Sequence, residues 1–500
     1  MVILVYPLMS ETQSSYRSIM KATSLFGGVQ VFNIAVSLIR GKAVALLIGS
    51  EGMGLNGLFL SGINLIKQLT SLGLESSAVR DMSVAFGEND PKELATTYTV
   101  FRRWIWFTAF LGVIASILFA PLLSSFAFGT REYTSAFMWL SIVFIFGALT
   151  GGIYTILRAT RKVKYLAQAN IYGAVSGLLV TLPILYVWGV DGVMPSIVVA
   201  SLATYLISLY FRKKVNIEVI NVTLRETFQL GKPMVVMGVN MSLGSLMGVG
   251  STFALNAFIT NQGSLSDLGL YSAGMSIMGG YVGMVFTAIG TDYFPRLSGA
   301  INDEKNWKPI VNQQSELVLM ILNIVLVILV ASAPILIRIL LSAEFLETQN
   351  FIILSSIGVL LKGYVWVTGF VMLSKGDNKL FFLTELFANS FLLVLNIFLY
   401  KVYGIDGLGI AMIVGYVCFS ILMYFIMLKK YNFRLDTSTY FLLLTGIVSL
   451  VLMILVHFYL SESIQIFSLI FLSLVVITFQ LYQLDKRIQI FDILSKFFKK

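Results

Sequence analysis

The chain has almost nothing with which to do metal, redox or imidazole chemistry. Its 500 residues include one cysteine and one histidine, Cys418 and His457. One cysteine excludes a disulfide framework and a Cys-based metal site. One imidazole excludes any mechanism that needs a pair. Charge is scarce as well, at 12% of residues, about half the usual globular share. Nine prolines and 13% aromatics exclude a collagen-like or disordered chain. What is abundant is apolar: 57% of residues, with a mean hydropathy of +0.86. A soluble protein of this length would need several cores and charge to cover them. That charge is missing, so the solvent for most of the chain is lipid.

The net charge of +10 could suggest a nucleic-acid partner, but no basic block is long enough. The basic residues fall in small clusters between apolar runs, as membrane topology requires. Met1 to Met9 has no basic flank and only about seven apolar residues, too few for a signal peptide or a span. A bilayer core needs about 20 apolar residues per helix. Fourteen runs meet that: 22–48, 53–79, 104–124, 134–157, 165–188, 192–211, 231–260, 268–295, 312–337, 351–373, 380–400, 405–428, 438–460 and 464–484. With the N-terminus cytoplasmic, 28 of the 35 Lys and Arg residues fall in inside segments, and only Arg131, Arg338 and Lys401 fall outside. That bias follows the positive-inside rule and places both termini in the cytoplasm. In the tail 485–500, Ile490, Phe491, Leu494, Phe497 and Phe498 alternate with Lys and Arg at helical spacing. It reads as a basic amphipathic helix on an anionic membrane surface.

The chain also resembles itself. Gly189-Val190-Asp191-Gly192 recurs as Gly404-Ile405-Asp406-Gly407, Gly57-Leu58-Phe59 as Gly269-Leu270-Tyr271, Asn89-Asp90 as Asn302-Asp303, and Lys213-Lys214 as Lys429-Lys430. The four matches run in order at nearly constant offset. The expected fold is therefore an all-α polytopic membrane protein of about 14 transmembrane helices, built from two parallel six-helix repeats plus two C-terminal helices. A cytoplasmic segment 1–21 leads to a bundle over 22–211, a basic linker 212–230, a second bundle over 231–428, two further spans within 438–484 and the tail. Two parallel bundles that rock about a central cavity are transporter architecture.

Ionisable groups within spans are costly and usually face a cavity or a partner. Arg40, Lys42, Lys67, Glu75, Glu316, Lys362 and Glu385 qualify. Glu316 and Glu385 lie near cytoplasmic ends, where interface water or local pairing accounts for them. Span 1 carries Gln30, Asn33, Ser37 and Arg40 on one helical face, and span 2 carries Asn64, Lys67, Gln68, Ser71 and Glu75 on another. Lys42 lies about 200° around from Arg40, and snorkels outward unless Gly41 bends the helix. Span 10 places Lys362 near its midpoint, beside Gly358, Trp366 and Gly369. Three deep cations against one acid suggest a cationic cavity for an anionic substrate. The alternative is ion-pair glue: Glu75 would meet Lys67, about 12 Å away along an unbroken helix, through bending or an intervening water, or would instead meet Arg40 or Lys362. The glycines of spans 7 and 8 suit close packing or hinges, with packing favoured for most. His457 suits an interface packing role and Cys418 a small core residue.

Certain residues carry a more specific likeness. Ser24-Leu25-Phe26-Gly27-Gly28-Val29-Gln30-Val31-Phe32-Asn33, followed by Leu38-Ile39-Arg40-Gly41-Lys42 and Gly49-Ser50-Glu51-Gly52-Met53-Gly54, resembles the opening of Wzx-type O-antigen flippases. These are polysaccharide-biosynthesis translocases of the MOP superfamily, related in fold to MATE exporters and the lipid II flippase. The resemblance implies a bacterial inner-membrane protein, not an enzyme, that moves undecaprenyl-pyrophosphate-linked oligosaccharide from the cytoplasmic to the periplasmic leaflet of the membrane by alternating access. Its expected partners are that lipid-linked oligosaccharide, membrane lipids and other polysaccharide-assembly proteins as candidates. No cofactor or metal is implied, and a proton or sodium gradient is the candidate drive. Arg40, Lys67 and Lys362 would meet the diphosphate, with Lys42 as a secondary candidate. Gln30, Asn33, Asn64 and Gln68 would bond sugar hydroxyls, and Glu75 is the candidate ion-coupling site.

Two rival classes fit less well. A MATE-like cation exporter calls for a cavity dominated by acids. A membrane polymerase or ligase calls for a sizeable outer loop with catalytic groups, and every expected outer loop is short. A scaffold leaves the polar stripes unexplained.

Overall fold

The computed structural model describes the backbone of residues 6–488, with side chains from residue 32 onward except at a few positions. The amphipathic tail expected over 485–500 lies almost entirely outside the described residues. The described chain is helical throughout, with no strand. The helices are α1 (Tyr6–Thr70), α2 (Leu74–Gly87), α3 (Pro91–Phe128), α4 (Thr134–Leu140), α5 (Ile142–Ala159), α6 (Val163–Trp188), α7 (Val193–Arg212) and α8 (Leu224–Gln262). They continue with α9 (Leu265–Ala300), α10 (Glu304–Leu340), α11 (Gln349–Ser374), α12 (Asn378–Tyr431), α13 (Thr437–Tyr459) and α14 (Glu462–Ile488).

Among the described residues, 11 helical segments are long and apolar enough to cross a membrane. Three of them, Phe32–Thr70, Val163–Arg212 and Asn378–Tyr431, contain a break in helical geometry, and the last two, at 50 and 54 residues, are far too long for one crossing at 1.5 Å per residue. Each is interrupted by a glycine at positive φ: Gly49 (62°), Gly189 (55°) and Gly404 (59°). Each therefore divides into two helical stretches at that glycine.

The duplication is also written in backbone geometry. Gly189 and Gly404, 215 positions apart, adopt φ/ψ of 55°/−132° and 59°/−140°. A Cβ at Gly192 would meet the Ile184 carbonyl oxygen, and one at Gly407 the Leu399 carbonyl oxygen, again 215 positions on. Only glycine suits the first position of this turn, because it must be left-handed. Only glycine suits the last, because the next helix returns against the carbonyl of the previous one. Asn89-Asp90 and Asn302-Asp303 repeat as helix starts. Asp90 accepts from the Lys92 and Glu93 amides, and Asp303 accepts from the Lys305 amide, all at 2.9 Å. These are N-caps, which satisfy otherwise orphaned amides.

How the spans pack follows from residue size. On α3, Ala109, Gly112, Ser116 and Ala120 are buried, while Phe107, Phe110, Ile114, Leu118 and Leu122 are exposed. Lipid is as apolar as leucine, so large side chains gain nothing by facing inward, whereas small ones let backbones approach. A Cβ at Gly112 would lie 2.9 Å from the Cβ of Phe144 on α5.

The chain divides into two compact units, residues 1–261 and 262–500. Within the first unit, α8 is tied to α3 by side-chain hydrogen bonds. Trp104 Nε1 donates to the Thr227 carbonyl at 3.2 Å, Arg103 donates to Thr227 Oγ1 at 2.7 Å, and Asn261 Nδ2 donates to the Phe126 carbonyl at 2.8 Å. Hydropathy marks where a helix begins but not which neighbours it joins. In the second unit, α13 and α14 pack on α10, where Arg487 meets Glu316 at 2.7 Å.

Candidate substrate site

In the first unit the chemistry begins with a broken helix. The expected span 53–79 is not continuous: α1 ends at Thr70 and α2 starts at Leu74. Between them Leu72 and Gly73 are left-handed, at φ 52° and 60°. A left-handed leucine costs roughly 1–2 kcal/mol, so packing must hold it. α8 does so. Gly73 and Gly238 meet backbone to backbone, so closely that a Cβ on either would collide with the other stretch of chain. Gln68 adds a second tie, with Nε2 donating to the Ser242 carbonyl at 2.9 Å and to Ser245 Oγ at 2.6 Å.

The break supplies the bend that the ion-pair alternative requires. With the helix interrupted, Glu75 Oε1 lies 3.7 Å from Lys67 Nζ. The pair lines a small cavity of about 60 Å³ with Ser71, Thr108, Phe144 and Gly147. Glu75 rests against the backbone at Gly151, where any Cβ would strike its carboxylate. Both partners stay accessible, with side chains 47% and 36% exposed. An exposed pair of this kind contributes little stability.

The other stripe is only partly assembled. Arg40 is half-buried on α1. It makes no ion pair among the described residues. Asn33 is half-buried too, and its Oδ1 is buried without a hydrogen-bond partner. Asn64 is exposed one turn before Lys67. Gln68 is engaged with α8. The Gln30 side chain lies outside the described residues. Lys42 is half-buried.

In the second unit, Lys362, Trp366 and Gly369 share one face of α11 and line a cavity of about 340 Å³. The opposite wall comes from α12: Phe381, Glu385, Asn389 and Tyr416. Glu385, explained from sequence by its nearness to a helix end, therefore faces Lys362 across the same space. Its carboxylate also lies 3.4 Å from Asn389 Nδ2. The missed signal was the spacing of Phe381, Glu385, Asn389 and Leu392, which places them on one face.

Other expectations fare variously. Glu316 is locally paired with Arg487, as its position suggested. His457 sits in a polar packing chain, with Nε2 3.0 Å from Asn350 Oδ1 and Nδ1 2.6 Å from Gln465 Nε2. Cys418 is half-buried. Packing explains Gly238, Gly274 and Gly290, but nothing lies within 4 Å of a Cβ at Gly244, Gly250, Gly279, Gly280 or Gly283. Close packing therefore explains some of the glycines of α8 and α9 and not others. Among the described residues no cluster of His, Cys, Asp and Glu could hold a metal.

Comparison with known proteins places these features. Residues 43–350 match a family model described as polysaccharide biosynthesis protein. No curated protein matches in sequence. Among solved structures, the chain is similar to the lipid II flippase MurJ in an inward closed conformation. The TM-score is 0.70 at 13% identity, covering 94% of this chain and 99% of that one. It is also similar to an inward-facing multidrug resistance MATE transporter of the MOP superfamily, with a TM-score of 0.64 at 15% identity over 80% and 93% of the two chains. The MATE multidrug transporter DinF-BH gives a TM-score of 0.55 at 18% identity over 83% and 94%. The fold is thus that of MurJ and the MATE transporters.

Proposed function

The chain belongs to the polysaccharide biosynthesis protein family, and from that membership we propose that it is a flippase for undecaprenyl-pyrophosphate-linked oligosaccharide. It would act in a bacterial inner membrane with both termini cytoplasmic, turning the head group from the cytoplasmic to the periplasmic leaflet by alternating access. The observation that carries this reading is the family match to a chain with transporter architecture and intramembrane cations. An enzyme of polysaccharide assembly would need catalytic groups that the sequence does not supply.

The chemistry assigns separate tasks. Arg40 offers a guanidinium fork, which suits a pair of phosphate oxygens. Lys67 would join it once its pair with Glu75 opens, as a point charge on the same diphosphate. Protonation of Glu75 removes the competing carboxylate, so proton entry and phosphate capture would be linked. Asn33 Oδ1 lacks a donor, and Asn64 is exposed beside Lys67; both would meet sugar hydroxyls. Lys42 remains a secondary cation and Gln68 a contact that must leave α8 to take part. The polyprenyl chain would stay in lipid.

A second reading has one observation in its favour: each unit places a carboxylate, Glu75 or Glu385, against a cavity. A cation exporter would use them. The lysine facing each carboxylate weighs against that use, because it repels the cargo.

Depletion of the protein in cells, followed by analysis of lipid-linked oligosaccharides, tests the proposal. Intermediates should accumulate on the cytoplasmic leaflet. Normal periplasmic glycan with no accumulation would reject it, and resistance lost to organic cations would favour the exporter.

A further inference from the structure

The cavity of the second unit carries an inference that deepens the proposed function and rests on it. The charged residues of its wall are one cation, Lys362, and one carboxylate, Glu385. They form no ion pair among the described residues. A diphosphate seeks surplus positive charge; this wall has none. It offers three donor protons at the Lys362 ammonium and two acceptor oxygens at Glu385, with the Asn389 amide between a donor and an acceptor. A ligand bridging them must both accept and donate while carrying no net charge. Hydroxyl groups on a ring do both.

The aromatic lining supplies the other half of such a site. Trp366, Phe370, Phe381, Tyr416 and Phe419 border the space. The indole of Trp366 is braced by other rings: Phe370 meets it edge-on at 5.0 Å, Phe286 lies 5.1 Å away and Tyr293 6.3 Å. A ring braced on several sides presents a fixed apolar face at low entropic cost. Gly369 keeps that space open, since a Cβ there would meet only Phe381, at 3.9 Å. The volume of about 340 Å³ lies at the lower end of small-ligand pockets, enough for a ring or two.

We propose that this cavity is a subsite for a neutral pyranose of the carried glycan: C–H face on Trp366, hydroxyls bridging Lys362 and Glu385. The diphosphate is then left to the first unit. Neutral sugars fit better than acidic ones, because a carboxylate on the ring would take Lys362 while facing Glu385.

The test is saturation-transfer NMR on the purified full-length protein in lipid nanodiscs. The probes are methyl glucopyranoside, glucuronate and tetraphenylphosphonium as an aromatic cation. The neutral glycoside should give the strongest transfer, at its ring C–H protons. Trp366→Ala should weaken its binding about tenfold, and Trp366→Phe should retain most of it. Gly369→Leu should block binding by filling the space without removing a contact. Glu385→Gln should weaken it less than Trp366→Ala, since the amide still accepts one hydrogen bond. Binding unchanged in both Trp366→Ala and Gly369→Leu would overturn the assignment, as would tighter binding of glucuronate or the aromatic cation. Variants are compared only if they elute as a single species, and Gly369→Leu carries the test where Trp366→Ala does not fold. Sugar binding without translocation of lipid-linked oligosaccharide would reject the flippase reading alone. Translocation without sugar binding would reject this cavity alone.

Discussion

Gly73→Ala is expected to be among the most damaging single-atom-scale changes in the first unit. Gly73 sits at φ 60°, where a side chain is strained, and its Cβ position is already occupied by the Gly238 carbonyl. The left-handed conformation costs alanine roughly 1–2 kcal/mol. Forcing an added methyl into packed backbone costs about 1–3 kcal/mol more. Together these give roughly 2–5 kcal/mol, a large share of the stability of a typical fold. The reciprocal change, Gly238→Ala, strikes the Leu72 carbonyl and should cost a similar overpacking term without the conformational one. Gly41→Ala is the control. It lies inside α1 with nothing within 4 Å of its Cβ position, so it should stabilise by about 0.5–1 kcal/mol. The assay is thermal unfolding in detergent, read by tryptophan fluorescence and by loss of the monodisperse peak. Gly73→Ala should melt several degrees lower, Gly238→Ala lower by less, and Gly41→Ala no lower than the parent. If Gly73→Ala and Gly41→Ala melt alike, α8 does not clamp the helix break and the Lys67–Glu75 pairing loses its cause.

Further expectations follow from the same residues. Arg40→Ala and Lys67→Ala should abolish complementation of a depleted strain at unchanged membrane levels, while Lys42→Ala should be milder; full activity of Arg40→Ala would remove the diphosphate assignment. Glu75→Gln should blunt the dependence of transport on a proton gradient, measured in vesicles with and without an imposed ΔpH. An unchanged dependence would exclude Glu75 as the coupling group. At the loop before α12, Asp377 accepts from the Tyr431 hydroxyl at 2.5 Å and pairs with Lys430 at 3.1 Å. These hydrogen bonds hold its carboxyl below the ordinary range. A depressed folded value means that its stabilisation is present above the unfolded value, about 3.9, and is lost as pH falls through the lower folded one. Asp377→Asn should therefore lower the melting temperature at pH 7, with a deficit that narrows below about pH 4. A deficit independent of pH would assign the loss to packing.

How much was legible in the sequence differs by level. Span positions were, because apolar length and lysine placement obey rules that need no tertiary contact. The duplication was too, since Gly189 and Gly404 recur for a reason local to the turn. Capping at Asn89-Asp90 and Asn302-Asp303 belongs to the same class. The helix break at 71–73 was not: Leu72 has no left-handed preference, and what holds it there is Gly238, a residue of a distant helix. The pairing of Lys67 with Glu75 was legible only as an alternative that needs a bend, because an unbroken helix keeps them about 12 Å apart. Glu385 was dismissed on its distance from a helix end, whereas its facing direction, set by Asn389 and Phe381, was the informative quantity. Lys362 with Trp366 succeeded because both lie on one helix, where spacing alone fixes a shared face.

The central claim is that this chain moves a lipid-linked glycan between leaflets. The most direct measurement is reconstitution of the purified protein in liposomes containing undecaprenyl-pyrophosphate-linked oligosaccharide, with glycan accessibility read by an externally added glycosidase. Active protein should expose the inner-leaflet pool that protein-free liposomes protect, and Arg40→Ala should leave that pool protected. Equal protection with and without the protein, under an imposed proton or sodium gradient, would contradict the account.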